Sequence, residues 1–395
     1  MKTIPYGRQH ITDADVQAVV DALRSDYLTQ GPAIEAFEKA FATYIGSQYA
    51  VAVANGTAAL HIAALGLGLK PGDKVITTPI TFSASANCVR YCGADVLFAD
   101  IDPETYLIDI KEVEKILKQH PDGSVKGIIP VDMAGRVVNT EALRKLADTY
   151  GCWILEDACH APGGYFTDSH GVQQWAGKNR YSNATVFSFH PVKHIACGEG
   201  GMVTTNDPEL YKQLQRLRSH GITKCDDSYT NSLELACAVE GQTTYPGWYM
   251  EMQQLGFNYR ITDIQAALGL SQLSRADEGL KRRRQLAATY AETFKDKPYL
   301  LGQSGVVDGH AYHLYIIEVT DRLGLFNHLR ANNIIAQIHY IPVHLMPYYQ
   351  QQGTKPGDMP AAETYYSRCI SIPLYPTLTD EEQQYVIQTI NEYYG

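Results

Sequence analysis

Two apolar segments, CWILED at 152–157 and ATVFSF at 184–189, decide the fold of this chain. Neither shows the strict alternation of apolar and polar residues that a half-exposed strand needs, so both are typical of strands buried on both faces of a sheet. Five more short apolar runs lie between residues 49 and 207, and stretches of roughly helical length separate the runs. This pattern predicts an α/β domain built on a mostly parallel sheet covered by helices.

The chain outside these strands begins with helices and ends in a smaller unit. Thr12 and Pro32 each predict the start of an N-terminal helix. After Thr262 a long helical segment leads into a smaller unit of strands and helices. We therefore expect a large domain at 1–262 and a smaller α+β C-terminal domain at 263–395.

Asp157 and Lys193 are the most informative pair of polar residues. Asp157 ends the first segment, and Lys193 lies four residues beyond the second. The carboxyl ends of parallel strands share one edge, where open α/β sheets bind ligands. A carboxylate at that edge can hold a proton on a pyridine nitrogen, and a desolvated lysine can form a Schiff base. An aspartate or a lysine taken alone is more often an ordinary solvated or paired charge. Whether these two residues carry chemistry therefore depends on the residues around them.

Those neighbours are suited to a flat, phosphorylated cofactor. Residues 54–60, ANGTAAL, predict a tight turn into a helix, where the N–H groups of Gly56 and Thr57 can cradle a phosphate. Ser188 lies on the strand that leads to Lys193 and can add a hydroxyl to the same phosphate. Phe82 follows another predicted strand, where its ring can stack on a flat cofactor.

Four motifs in order resemble one known family. They are NGTAAL at 55–60, EDACHAPGG at 156–164, SFHPVK at 188–193 followed by GEGG, and GFNYRITDIQAALG at 256–269. Together they resemble the pyridoxal-phosphate sugar aminotransferases of fold type I, the DegT/DnrJ/EryC1/StrS type, over nearly the whole chain. The resemblance implies an aspartate aminotransferase-like fold, and pyridoxal 5′-phosphate as cofactor with pyridoxamine phosphate as its intermediate form.

The resemblance also implies which residues hold the cofactor and do the chemistry. Lys193 would bond covalently to the cofactor and shuttle protons, Asp157 would pair with the ring nitrogen, and His160 would lie beside the phenolic oxygen. The other implied cofactor contacts are Gly56, Thr57, Phe82, Ser188 and Asn258. Asn258 would reach the phosphate from a neighbouring subunit, which predicts a homodimer with shared active sites.

Within the family, three segments most resemble the transaminases of pseudaminic acid synthesis. These segments are SDYLTQGP at 25–32, SFHPVK, and EMQQLGFNYR at 251–260. The implied substrate is a UDP-linked 4-keto-6-deoxy-N-acetyl sugar, aminated at C4 with L-glutamate as the expected donor. The implied substrate-binding residues are Tyr6, Asp26, Tyr27, Leu28, Thr29, Gln337, His339 and Tyr340.

Residues 222–247 depart from the pattern expected of a minimal member. Their composition shifts to Ser, Thr, Asp, Cys and Gly, which predicts an irregular excursion. Long loops inside compact domains are more often functional or mobile than filler. We expect this excursion to cover the sugar-nucleotide pocket or the dimer interface.

Two other functions stay open. A pyridoxamine-dependent sugar dehydratase would carry histidine at the position of the Schiff-base lysine. Here Lys193 occupies that position and His194 follows it, which favours transamination. A non-catalytic cofactor-binding module would usually carry an appended DNA-binding domain, and no basic helix-turn-helix unit is visible. His339 and His344 have no Cys/His cluster around them, so we expect no metal site.

Composition bounds the partners and the location. The chain has 395 residues and a formal net charge of −10, which argues against nucleic acid or an anionic membrane as the main partner. Its 8 cysteines contain no C-x-x-C pair, and we expect reduced thiols and a cytoplasmic location. The 27 tyrosines outnumber 10 phenylalanines and 3 tryptophans, a weak indication of polar, ring-shaped ligands.

Overall fold

The computed structural model describes residues 3–224, 228–302 and 305–395. The described strands are β1 (Ile4–Pro5), β2 (Tyr49–Val53), β3 (Lys74–Thr77), β4 (Asp95–Phe98), β5 (Val125–Ile129), β6 (Trp153–Asp157), β7 (Tyr165–Thr167), β8 (Gln173–Trp175), β9 (Ala184–Ser188), β10 (Gly201–Thr205), β11 (Ile222–Thr223), β12 (Glu251–Met252), β13 (Tyr315–Glu318), β14 (Ile334–Ile335) and β15 (Cys369–Ile372). The described α-helices are α1 (Asp13–Arg24), α2 (Pro32–Ile45), α3 (Gly56–Gly66), α4 (Ala84–Tyr91), α5 (Ile110–Gln119), α6 (Thr140–Tyr150), α7 (Pro208–Arg218), α8 (Leu233–Cys237), α9 (Asp263–Leu273), α10 (Ala276–Thr293), α11 (Arg322–Ala331), α12 (Pro347–Gln351), α13 (Pro360–Arg368) and α14 (Asp380–Tyr394).

The central element is a seven-stranded sheet with the order β2-β10-β9-β6-β5-β3-β4. The pairings from β9 through β6, β5 and β3 to β4 are parallel, whereas β10 runs antiparallel to both β2 and β9. Each of the seven apolar runs in the sequence contains one of these strands. The predicted mostly parallel sheet is therefore confirmed, with β10 as the reversed strand.

The sheet is buried on both faces, which explains why its strands lack alternation. In β9, Val186 lies in the apolar cluster that includes Leu60 of α3, on one face. The next residue, Phe187, packs on the other face against Phe41 of α2, with ring centroids 5.0 Å apart. Neighbouring residues of one strand thus enter different cores, and both have to be apolar.

The N-terminal helices begin where the sequence predicts. Thr12 and Asp15 form a capping box at the start of α1, and Pro32 is the first residue of α2. Gly46 ends α2 with a φ of 80°, a left-handed conformation that glycine adopts without steric cost.

The C-terminal part contains a smaller sheet and helices. β13 pairs antiparallel with β15, and residues of α10, α11 and α14 enclose the apolar cluster around them. The division at residue 262 stays a prediction. Contacts that join its two sides include the pairing of β1 with β14 and the packing of α9 against α1 and α2.

The long helical segment expected after Thr262 is present but divided into two helices. Its residues form α9 and α10, which are separated at Ser274 and Arg275. Arg275 leaves helical geometry with φ −123° and ψ 17°, and its guanidinium binds the carboxylate of Asp15. This ion pair connects the break between α9 and α10 to α1.

The excursion is less irregular than expected. Its described part contains the helix α8, and β11 pairs antiparallel with β12 just beyond residue 247. Residues 225–227 of the excursion, including Cys225, lie outside the described residues. No helix in the described ranges has the length and apolar character needed to cross a bilayer.

Candidate active site

The carboxyl edge of the sheet brings Asp157 and Lys193 together. Asp157 is the last residue of β6, and β6 runs parallel to β9 with Asp157 opposite Val186. The chain leaves β9 at Ser188 and turns back within a few residues, since the Lys193 N–H donates to the His190 carbonyl at 2.8 Å. The two polar side chains thus follow neighbouring parallel strands, as the sequence predicts.

Asp157 is a buried carboxylate that its neighbours hold in place. The Ser85 hydroxyl donates to Asp157 Oδ2 at 2.6 Å, and the Cys159 N–H donates to Asp157 Oδ1 at 3.2 Å. Ser85 itself lies 2.7 Å from the Thr81 hydroxyl. Sequence reasoning missed Ser85, although it lies three residues after Phe82 at the start of α4, beside the same sheet edge.

Lys193 is a lysine with weakened basicity. Burial lowers the pKa of Lys193 from 10.5 to about 8. The Cys159 thiol and the Asp157 carboxylate oppose this pKa shift, whereas the buried guanidinium of Arg283 adds to it. At neutral pH a useful fraction of the amine is therefore unprotonated, as a nucleophile or a proton acceptor requires.

The start of α3 forms a cradle for an anion. Asn55 caps the helix, its Oδ1 accepting the Ala58 N–H at 2.8 Å. The N–H groups of Gly56 and Thr57 head the first turn, where a helix supplies no carbonyl partner for them. A Cβ on Gly56 would lie 3.1 Å from Ser188 Cβ, so glycine at this position lets Ser188 approach the helix start.

Aromatic and histidine side chains form a wall beside this edge. His160 is buried, and its Nε2 lies 3.2 Å from the Tyr340 hydroxyl. The Tyr340 ring lies 6.3 Å from the ring of Phe82, which is 61% exposed, and Tyr6 lies 5.1 Å from the His339 ring. The structure therefore gathers these five predicted residues into one group.

The histidines of the wall are uncharged. Burial lowers the pKa of His160 well below its ordinary value, and the charge of Lys193 lowers it further. Burial likewise lowers the pKa of His339 to about 3, and its Nδ1 lies 2.8 Å from the Ser371 hydroxyl. His160 Nδ1 is buried and has no hydrogen-bond partner among the described residues.

The remaining predicted residues lie elsewhere on the surface. The exposed stretch Asp26, Tyr27, Leu28 and Thr29 borders the start of α9, where the Leu28 carbonyl accepts the Asp263 N–H at 3.0 Å. Asn258 is also exposed and pairs with Ser219.

No contact among the described residues links the side chains of residues 26–29 or of Asn258 to Lys193. Gln337 is exposed as well, and its backbone pairs with Ser371. The roles of all these residues stay predictions.

The gathered residues fit pyridoxal phosphate. Asp157 offers a buried carboxylate for a ring nitrogen, and Lys193 offers an amine of lowered pKa for a carbonyl carbon. The Gly56 cradle has backbone donors for a phosphate and would be filled by any larger side chain.

Comparison with known proteins gives the same assignment. The model of the DegT/DnrJ/EryC1/StrS aminotransferase family matches residues 9–391. The spore coat polysaccharide biosynthesis protein SpsC of Bacillus subtilis is 37% identical over an alignment that covers 98% of this chain and 96% of SpsC.

Solved structures agree. Helicobacter pylori PseC, an aminotransferase involved in the biosynthesis of pseudoaminic acid, superposes with a TM-score of 0.86 at 30% identity and covers 100% of this chain and 99% of its own. The PMP form of Spr1654 from Streptococcus pneumoniae has a TM-score of 0.86 at 28% identity and covers 99% of this chain and 98% of its own. These similarities confirm the predicted α/β fold of the type I pyridoxal-phosphate enzymes.

Proposed function

Since the chain belongs to the DegT/DnrJ/EryC1/StrS aminotransferase family, we propose that it moves an amino group from L-glutamate to C4 of a UDP-linked 4-keto-6-deoxy-N-acetylhexose, in pseudaminic acid synthesis. Family membership makes the chain a pyridoxal-phosphate-dependent nucleotide-sugar aminotransferase. The donor, the nucleotide and the sugar belong to the proposal, which is supported by the whole-chain similarity to PseC.

The observation that carries the reaction is the weakened base Lys193 beside the buried carboxylate Asp157. When bound, pyridoxal phosphate supplies an electron sink and carries the amino group between donor and acceptor. Lys193 Nζ, partly neutral at pH 7, can take a proton from the donor carbon and later return one to the sugar carbon. Asp157 can serve as the partner of the ring nitrogen, since Ser85 and the Cys159 N–H both donate to its carboxylate and hold it in place.

The wall residues suit a sugar nucleotide. Tyr6, His339 and Tyr340 present rings together with hydroxyl or imidazole groups, which can stack on a base and hydrogen-bond to a sugar. His160 lies near the catalytic edge, since the charge of Lys193 helps to lower its pKa, and its Nε2 lies 3.2 Å from the Tyr340 hydroxyl. We assign Tyr6, His339 and Tyr340 to substrate binding on this basis.

We further propose that the active site is shared in a homodimer. The segment that leads to Asn258 exposes large apolar side chains, with Trp248 69%, Met252 66% and Leu255 79% exposed. Several large apolar side chains exposed on one short segment are typical of an interaction surface. A second copy of the chain would cover it and bring the exposed Asn258 to the partner's phosphate cradle. The proposed cytoplasmic location is consistent with the seven described cysteines, all of which are free thiols.

The reaction is tested with the purified holoenzyme, L-glutamate and a panel of UDP-4-keto sugars. We expect 2-oxoglutarate and a 4-amino sugar from the 6-deoxy-N-acetyl substrate, and no turnover by Lys193→Ala. Borohydride reduction of the holoenzyme should label the peptide that contains Lys193. A deoxygenated sugar without an added amine would refute the transaminase proposal in favour of the dehydratase.

The shared site is tested by subunit complementation. We expect Lys193→Ala and Asn258→Asp homodimers to be impaired, because the second places a negative charge against the phosphate. Random mixing of the two should restore about a quarter of the wild-type sites, since half of the dimers are mixed and each has one intact site. No gain above the separate variants would place Asn258 outside the partner's site.

The apolar segment has its own test. Leu255→Asp should lower the dimer fraction in sedimentation, because a charge replaces an apolar contact. Leu323→Asp is the matched control, since Leu323 is 67% exposed on α11, away from that segment. Equal dimer fractions in the two variants would contradict the assignment of residues 248–255 to the interface.

A further inference from the structure

His313 is a buried histidine whose ring lies beside two histidines of the active-site region. Its ring centroid lies 4.4 Å from the His160 ring, at an interplanar angle of 36°, and 5.8 Å from the His194 ring. His313 is 4% exposed, and its Nδ1 has no hydrogen-bond partner among the described residues. None of the four family motifs includes it.

The backbone holds His313 in this position from several sides. The Ala311 N–H donates to the Gly135 carbonyl at 2.8 Å, and the Leu314 N–H donates to the Ala134 carbonyl at 3.2 Å. A Cβ on Gly135, which has a φ of +104°, would lie 3.1 Å from the His313 nitrogen. The segment 311–314 therefore lies directly against the turn that follows β5.

A buried guanidinium fixes the same segment. Arg283 of α10 donates to the carbonyls of Tyr312 and His313, at 3.3 and 3.2 Å, and to that of Leu374 at 3.0 Å. The His313 backbone is thus held from both sides, and its 4% exposed side chain is enclosed beside His160.

His160 packs beside two rings. The Tyr340 ring centroid lies 6.1 Å away at an interplanar angle of 24°, and the His313 centroid lies closer, at 4.4 Å. Burial lowers the pKa of both His160 and His313 well below the ordinary value, and the charge of Lys193 adds to that effect. Two uncharged imidazoles can pack at this distance without the repulsion that two cations would suffer.

We propose that His313 is a positioning residue of this active site, which packs its ring against His160 and so holds His160 Nε2 at the Tyr340 hydroxyl. The proposal deepens the aminotransferase function and rests on it, but it does not depend on which sugar is the substrate. In this proposal His313 acts through His160.

The proposal is tested in the holoenzyme by a double-mutant cycle. His313→Ala should lower kcat about 10–100-fold, the cost of a small misplacement of a catalytic group, with the sugar KM within about twofold. His313→Phe keeps a flat ring against His160 and should retain kcat within about threefold. In the His160→Ala background, His313→Ala should cause no further loss of kcat, because the residue it positions is gone.

The cofactor spectrum gives a second readout. The measurement is the visible absorbance of bound pyridoxal phosphate as a function of pH. This titration curve should shift in His313→Ala and stay near that of the wild type in His313→Phe. His310→Asn is the matched control, because His310 is buried in the same segment and its Nδ1 accepts the Tyr312 N–H at 2.8 Å, a bond that asparagine can replace. We expect wild-type kcat and absorbance for His310→Asn.

Several outcomes would overturn the proposal. These are multiplicative losses in the His160→Ala/His313→Ala double variant, a His313→Phe enzyme as slow as His313→Ala, or an equal loss in His310→Asn. Thermal melting of each holoenzyme separates these results from misfolding. A wild-type enzyme that fails to form an amino sugar would refute the proposed function instead, and the spectral comparison of the variants would still decide the role of His313.

Discussion

The lowered pKa of Lys193 makes a sharp prediction about how the apoenzyme captures pyridoxal phosphate. Only the neutral amine attacks a carbonyl carbon. With a pKa of about 8, some ~9% of Lys193 is neutral at pH 7, whereas an ordinary lysine with a pKa of 10.5 would be only ~0.03% neutral. Burial therefore increases the reactive fraction about 300-fold at pH 7.

The rate of covalent capture should rise with pH and level off above about pH 8. The measurement is stopped-flow absorbance of the apoenzyme mixed with saturating pyridoxal phosphate, from pH 6 to pH 10.5. N-α-acetyl-lysine is the control, and its rate should still be rising near pH 10. A midpoint for the enzyme close to that of the free amine would refute the inference that burial weakens this base.

The same pKa shift predicts a stability difference that is independent of the cofactor. Between pH 8 and 10.5 the unfolded chain holds a proton on Lys193 that the folded chain has lost, so the stability of the apoenzyme rises with pH across this window. Below pH 8 the buried charge costs up to ~3 kcal/mol. Lys193→Met should therefore be more stable than wild type in urea at pH 7, and the gap should narrow by pH 10. A gap that stays constant with pH would contradict this account.

Two further substitutions test the surroundings of the site. Ser85→Ala removes a 2.6 Å hydrogen-bond donor to the buried Asp157 carboxylate. Because a hydrogen bond to a charged group contributes about 1.5–3 kcal/mol, kcat with L-glutamate should fall about 10–100-fold. An unchanged kcat would show that Asp157 does not need this hydrogen bond. Gly56→Ala places a Cβ 3.1 Å from Ser188 and should raise the Kd for pyridoxal phosphate about tenfold in a fluorescence titration, through the loss of about one hydrogen bond. Gly279→Ala, whose Cβ would meet its nearest neighbour at an ordinary 3.6 Å, should bind the cofactor like wild type, and an equal loss of affinity there would contradict the cradle.

The sheet and its reactive edge could be predicted from the sequence because their signals are local. Each apolar run is a few residues long, and the parallel-strand rule then places Asp157 and Lys193 at one edge without any knowledge of packing. The pKa of Lys193 could be anticipated only in direction, because its size depends on how completely the folded chain covers the amine.

The parts that could not be predicted depend on contacts between distant segments. The helix after Thr262 breaks where Arg275 meets Asp15, an ion pair across 260 positions that no periodicity reveals. Ser85 was missed for a similar reason, since its partner Asp157 lies 72 residues further along the chain. Apolar periodicity describes which face of a helix is buried, but it does not say which hydroxyl meets which carboxylate.

The surplus of tyrosine likewise could not be interpreted from the sequence alone. Tyr6 and Tyr340 lie in the wall beside His160, where they suit a sugar nucleotide. Tyr290 is fully buried in the apolar cluster of the C-terminal part, and its hydroxyl donates to the Pro373 carbonyl at 2.9 Å. One residue type thus serves both the site and the core, because a phenol ring can stack on a ligand or fill a core whose edge offers a carbonyl. The count of tyrosines therefore carries no functional information by itself. Whether a given tyrosine serves the site or the core depends on where the fold places its ring.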